Sequence, residues 1–159
     1  MKKKATVELI ADSETTSLYS ISFEIDGTTE FEKFVELFES NATYNKDYQR
    51  IIAALQVILQ KGAIERFFRA EGKMADGVQA IPIEGGKLRL YCLRISEQIV
   101  ILGNGGTKTT RTYQENPRLY GYVLDLQRFE KILAQYLCSN IVTIQKKELK
   151  GIDGLTFEI

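Results

Sequence analysis

With 159 residues, 44% of them hydrophobic, the chain fits one domain that buries roughly two thirds of its unfolded surface, with no need of disulfides or a structural metal. Lys+Arg and Asp+Glu both number 21, which excludes an indiscriminate polyanion binder, yet the balance is a cancellation: residues 1–43 hold 4 cations against 9 acids, 44–111 hold 11 against 6, and 112–159 hold 6 against 6. Histidine is absent, so the commonest general base and transition-metal ligand is missing from any mechanism.

Met1 to Lys4 is basic, but Ala5 to Ala11 alternates and carries Glu8, so no signal-peptide run forms. No stretch reaches membrane-spanning length, and a cytoplasmic protein is expected. Val7 and Leu9 alternate, and Tyr19, Ile21, Phe23 and Ile25 share one face of a run from Leu18 to Ile25. These predict a hairpin whose second strand is half-buried. Then the period changes. Thr29 with Glu32 forms a capping box, and Phe31, Phe34, Val35 and Phe38 follow at helical spacing. A second helix carries Tyr48, Ile51, Ile52, Leu55, Ile58 and Leu59 on one face, with Gly62 placed to end it.

Three strands are predicted next, over Val78 to Ile83, Lys87 to Ile95 and Gln98 to Leu102, with turns short enough for antiparallel neighbours. Leu126, Phe129, Leu133, Tyr136 and Leu137 mark a third helix, and Ile141 to Ile144 and Leu155 to Ile159 are short strand candidates. Cys92 and Cys138 sit in apolar runs without Cys-x-x-Cys spacing, so both are expected as small buried hydrophobes.

The segment "ILGNGGTKTTRTYQENP", Ile101 to Pro117, mixes glycines and cations and is expected as a loop. A P-loop needs glycine directly before the lysine and a helix directly after. Here Thr107 precedes Lys108, and Thr109 to Tyr113 are mostly poor helix formers. A nucleotide cofactor is therefore not expected. The glycines are expected to serve positive φ or a close backbone approach at the end of a strand.

The order helix, helix, antiparallel strands, around "KLRLYCLRISEQIVILGNGGTKTTRTYQENP", resembles the RelE/ParE toxin superfamily, especially its HigB and phage-derived branch. Arg89 in "LRLYC", Ile99 to Leu102 in "IVIL", and Lys108, Arg111 and Tyr113 in "TKTTRTY" carry the resemblance. It covers about residues 28–137, with 1–27 as an N-terminal hairpin and 138–159 as a C-terminal extension of a single domain. It implies an α+β fold in which N-terminal helices pack on a mainly antiparallel sheet, with a C-terminal helix.

The resemblance also implies a bacterial toxin of a type II toxin–antitoxin system, an endoribonuclease that cleaves messenger RNA on the ribosome without metal or cofactor and is neutralised by a cognate antitoxin protein. The substrate's own 2′-hydroxyl is the nucleophile, so the protein positions the backbone and stabilises charge on the phosphate. By similarity Arg89 faces the phosphate, Lys108 and Arg111 orient the backbone or stabilise the leaving oxygen, and Tyr113 stacks or transfers a proton. Arg69 and Lys73 widen the RNA-binding face. Each has a structural rival: Arg89 capping at the sheet, Lys108 guarding an edge, Tyr113 packing its ring at the core edge. The loop is less basic than the family's and the chain is longer, so the alternative is a catalytically inactive RelE-like module that binds a protein partner.

Overall fold

A computed structural model describes residues 3–23, 27–70, 77–110 and 113–159. Among these, the chain forms β1 (Lys4–Asp12), β2 (Ser17–Ser22), α1 (Glu30–Phe38), α2 (Asn45–Lys61), β3 (Arg69–Ala70), β4 (Val78–Ala80), β5 (Leu88–Arg94), β6 (Ile99–Thr107), α3 (Pro117–Cys138), β7 (Thr143–Gln145), β8 (Glu148–Lys150) and β9 (Phe157–Glu158). The main sheet runs β3-β4-β5-β6-β2-β1-β9, antiparallel throughout except where β2 lies parallel to β6. The fold is α+β. No helix among the described residues is long and apolar enough to cross a membrane.

The sheet is covered on both faces. Phe34, Phe38, Ile51, Leu55 and Ile58 of α1 and α2 pack on Leu88, Leu90, Cys92, Val100 and Leu102. Leu119, Val123, Leu126, Phe129 and Leu133 of α3 pack on the opposite side, against Tyr91, Leu93, Ile99 and Ile101. This alternation is the period of two written in "LYCL" and "IVIL". It fixes which side chains of each strand face α3.

The N-terminal hairpin extends this sheet, as its small apolar face requires. Its second strand departs from expectation, because β2 is sandwiched between β1 and β6 and all its residues from Ser17 to Ser22 are buried. Leu18 faces the α1–α2 layer while Tyr19 and Ile21 face α3, so the strand is covered on both sides rather than half-buried. Ile25 lies outside the described residues.

α1 begins where the capping box predicts, with one half of the box changed: Thr29 Oγ1 accepts the Glu32 N–H at 3.1 Å, but Glu32 Oε1 accepts from the Thr29 hydroxyl at 3.0 Å rather than from its backbone N–H. Thr29→Ala is expected to cost about 1 kcal/mol and Thr29→Ser much less, read from urea denaturation midpoints. α2 ends at Gly62, whose φ of 96° suits a residue without Cβ. α3 starts at Pro117 rather than near Leu126, capped by Asn116, whose Oδ1 accepts the N–H groups of Arg118 and Leu119.

The two cysteines differ. Cys92 is fully buried and burial pushes its thiol up, whereas Cys138, expected in the core, is exposed at the end of α3. A disulfide-exchange reagent should therefore label one thiol in the folded protein and two in denaturant. Rapid labelling of both would contradict the packing of β5.

Candidate functional site

The expected loop from Ile101 to Pro117 is largely strand: β6 continues through Gly103, Asn104, Gly105 and Gly106 to Thr107. The glycines serve close approach, as one branch of the sequence expectation holds, and none of the three has positive φ. A Cβ on Gly103 would stand 2.9 Å from Leu126 Cδ1, one on Gly106 would stand 3.2 Å from Leu119 Cδ2, and one on Gly105 would strike the Arg89 carbonyl oxygen. Gly103 and Gly106 thus let α3 settle on β6, and Gly105 lets β5 cross beside it. That contact holds the first turns of α3 over the end of β5.

Strand register then sorts the cations. Arg69 is opposite Ala80, and Ala80 is opposite Tyr91, whose ring packs on the α3 side. Opposed residues of an antiparallel pair share a face, and so do residues two apart on one strand. Arg69 and Arg89 therefore lie on the α3 side of the sheet. Arg89 pairs with Gly106 and Leu88 with Thr107, and the ladder continues as Lys108 N–H donates to Lys87 O at 2.7 Å. Lys87 and Lys108 stand just beyond these strands, and continuing the alternation assigns both to the Arg89 face.

Lys87 is a cation that the sequence reading passed over. Like charges opposed across a ladder are destabilising, and Arg69, Lys87, Arg89 and Lys108 make no ion pair with any described residue. An unneutralised cluster of this kind suits an anionic partner. Arg69 is exposed on the edge strand β3, and Lys108 is half-buried. Lys73 and Arg111 lie outside the described residues.

Arg89 is half-buried and anchored: its Nη1 donates to Gly86 O at 2.8 Å and to Leu88 O at 3.0 Å. A guanidinium carries five donors, so Nε and Nη2 remain for a ligand while Nη1 fixes the side chain. Tyr113 is 7% exposed and packs in the α3-side core. Its ring meets Tyr91 edge-on at 6.5 Å and lies nearly parallel to Tyr120 at 6.3 Å. Tyr120, also passed over, is 43% exposed. Its only sequence signal is its place between the core positions Leu119 and Val123.

Two other polar regions carry less. Where the parallel strands β2 and β6 diverge, Glu30, Asn104, Tyr122 and Asp125 line a narrow gap with no room for a water molecule. Lys33 Nζ stands 3.1 Å from Glu30 Oε2, and Lys3 Nζ stands 3.0 Å from Asp125 Oδ2, while burial raises the Tyr122 phenol. A larger groove, about 520 Å³, separates β1 and β2 from the β7–β8 hairpin. Its lysines are already spoken for: Lys147 pairs with Asp12 and Lys150 with Glu148. The Glu148 carboxyl is held below its usual range by the Lys150 hydrogen bond, and the Lys150 ammonium is raised in return. Size favours this groove, but its lysines are paired, whereas the cations on the Arg89 face make no ion pair with a described residue.

The acidic hairpin and the C-terminal segment lie on the other half of the sheet. β1 is separated from β5 by β2 and β6, β9 pairs with β1, and Leu149 N–H of the β7–β8 hairpin donates to Tyr19 Oη on β2. Among the described residues, no strand of either addition pairs with β3, β4 or β5. No family model, curated protein or solved structure matches this chain.

Proposed function

We propose that the chain is RelE-like in fold and is the toxin component of a type II toxin–antitoxin pair, an endoribonuclease that cleaves messenger RNA on the ribosome and is neutralised by a cognate antitoxin. The observation that carries this reading is the shared face of Arg69, Lys87, Arg89 and Lys108, which make no ion pair with a described residue. In the proposed reaction the ribose 2′-oxygen bonds to the adjacent phosphorus and the bond to the 5′-oxygen breaks. The 2′-hydroxyl loses its proton and the departing 5′-oxygen gains one. Negative charge rises on the phosphate oxygens during this exchange, and fixed cations stabilise it more than they stabilise the ground state. Arg89, already held by two carbonyls, is assigned to those oxygens. Lys108 and Arg111 orient the backbone and neutralise the leaving oxygen. Tyr113 is assigned a supporting place, because its ring is committed to Tyr91 and Tyr120.

A second reading has one observation in its favour. The same two hydrogen bonds from Arg89 to Gly86 O and Leu88 O tie the guanidinium into the turn that leads into β5, as in a RelE-like module that binds a protein partner without chemistry. Induced expression separates the two. The nuclease arrests growth and shortens messages in a purified translation mixture, with cleavage lost when ribosomes are omitted; the binding module leaves growth and message intact.

A further inference from the structure

We propose that Tyr120 is the stacking platform for an unpaired base of the bound RNA, with the phosphates on either side of that base held by Arg89 of β5 and by Lys87 and Lys108, which flank β5 and β6. The inference rests on the RNA-directed reading above and adds a residue and a substrate form: single-stranded RNA, gripped by one base face and its backbone.

Three tyrosine rings lead from the core to the surface. Tyr91 is fully buried, Tyr113 is nearly so, and Tyr120 is 43% exposed. Tyr113 lies between the other two, at 6.5 Å and 63° to Tyr91 and at 6.3 Å and 14° to Tyr120. An exposed tyrosine ordinarily loses entropy when a ligand immobilises it. Here the near-parallel contact with a buried ring orients Tyr120, while 43% of the residue remains exposed to a partner.

The strand ladder relates the ring series to the cations. Tyr120 directly follows Leu119, which packs over Gly106, and Gly106 is the partner of Arg89 in the ladder. Tyr91, at the root of the ring series, is two residues from Arg89 on the same face. An oriented aromatic beside unpaired cations is the combination that holds single strands: cations follow the backbone while the ring stacks on any base. A duplex keeps its bases inside the stack and offers no such face. A folded acidic protein would satisfy the cations and leave the ring without its partner.

Fluorescence anisotropy with a labelled single-stranded oligoribonucleotide tests the assignment, alongside its duplex and a strand with one abasic nucleotide at each position in turn. Tyr120→Ala is expected to weaken single-strand binding by about 10- to 100-fold and to leave the slope of log affinity against log salt unchanged. Tyr120→Phe should bind like the wild type. Arg89→Ala should reduce that slope by about 0.7, one phosphate on a single strand. One abasic position should reproduce the Tyr120→Ala loss in the wild-type protein, so the test stands even where the alanine variant folds poorly.

Equal single-strand affinity for wild type and Tyr120→Ala overturns the stacking role, as does preference for the duplex. A wild type that cuts message on ribosomes yet fails to bind the single strand also overturns the stacking role alone. One that neither cuts nor binds removes the RNA reading with it.

Discussion

Arg89→Ala is expected to slow cleavage of ribosome-bound messenger RNA by about 10²–10³-fold while lowering the melting temperature by only a few degrees. The rate effect is that of deleting one preorganised donor from a site of developing negative charge. The stability effect is small because the hydrogen bonds lost, from Nη1 to Gly86 O and Leu88 O, lie at a turn that water can reach. Each such bond contributes roughly 0.5–1.5 kcal/mol net, and the lower end applies where water replaces the donor. About 1 kcal/mol corresponds to roughly 2–4 °C in a chain of this size. Arg89→Lys keeps the charge but replaces a rigid fork with a single ammonium. That group cannot hold the turn carbonyls and face a phosphate together, so an intermediate rate is expected with stability close to wild type. If activity instead falls only in proportion to the unfolded fraction, Arg89 is a structural cap.

Gly105→Ala is expected to have the largest effect on folding. The added Cβ would strike Arg89 O and stand 2.8 Å from Arg89 C and 3.0 Å from Leu90 Cα. All three obstacles are backbone, and Leu90 is the ladder partner of Gly105. No rotamer change relieves the clash, so β5 and β6 must part locally. Roughly 3 kcal/mol or more is expected, at or beyond the upper end of ordinary overpacking, with a fall in melting temperature of about 6–12 °C. Gly121→Ala is the matched control. It lies inside α3, and its Cβ would meet nothing within 4 Å, so alanine should stabilise by about 0.5–1 kcal/mol. Urea titrations of both variants check the contrast. A mild effect at Gly105 would mean that the strands are not in this register.

Local features were readable where local physics decides them. Thr29 and Glu32 announced the start of α1, and the Tyr48 to Leu59 stripe with Gly62 announced α2 and its end. The extent of β6 was not readable, because four polar or glycine residues weaken strand propensity. They are tolerated since α3 and β5 come close at that place. The early start of α3 had a signal in Asn116 followed by Pro117, but Tyr120, Gly121 and Tyr122 dilute the apolar stripe there. The parallel pairing of β2 with β6 joins segments far apart in the chain and leaves no local trace. For the site, the cation types were plain in the sequence, but their common face depends on register across β3, β4, β5 and β6. Lys87 gained meaning only as the partner of Lys108, and Tyr120 only as the exposed end of a ring series.

The most direct test of the central claim is the chemistry of the RNA ends left on ribosome-bound message by the purified protein in the presence of a metal chelator that leaves ribosomes assembled. Attack by the 2′-oxygen with expulsion of the 5′-oxygen predicts a 2′,3′-cyclic phosphate on the upstream fragment and a free 5′-hydroxyl on the downstream one, with both products reduced about 10²–10³-fold in Arg89→Ala. Uncut message under conditions where the protein is folded, or fragments bearing 5′-phosphates, would contradict it.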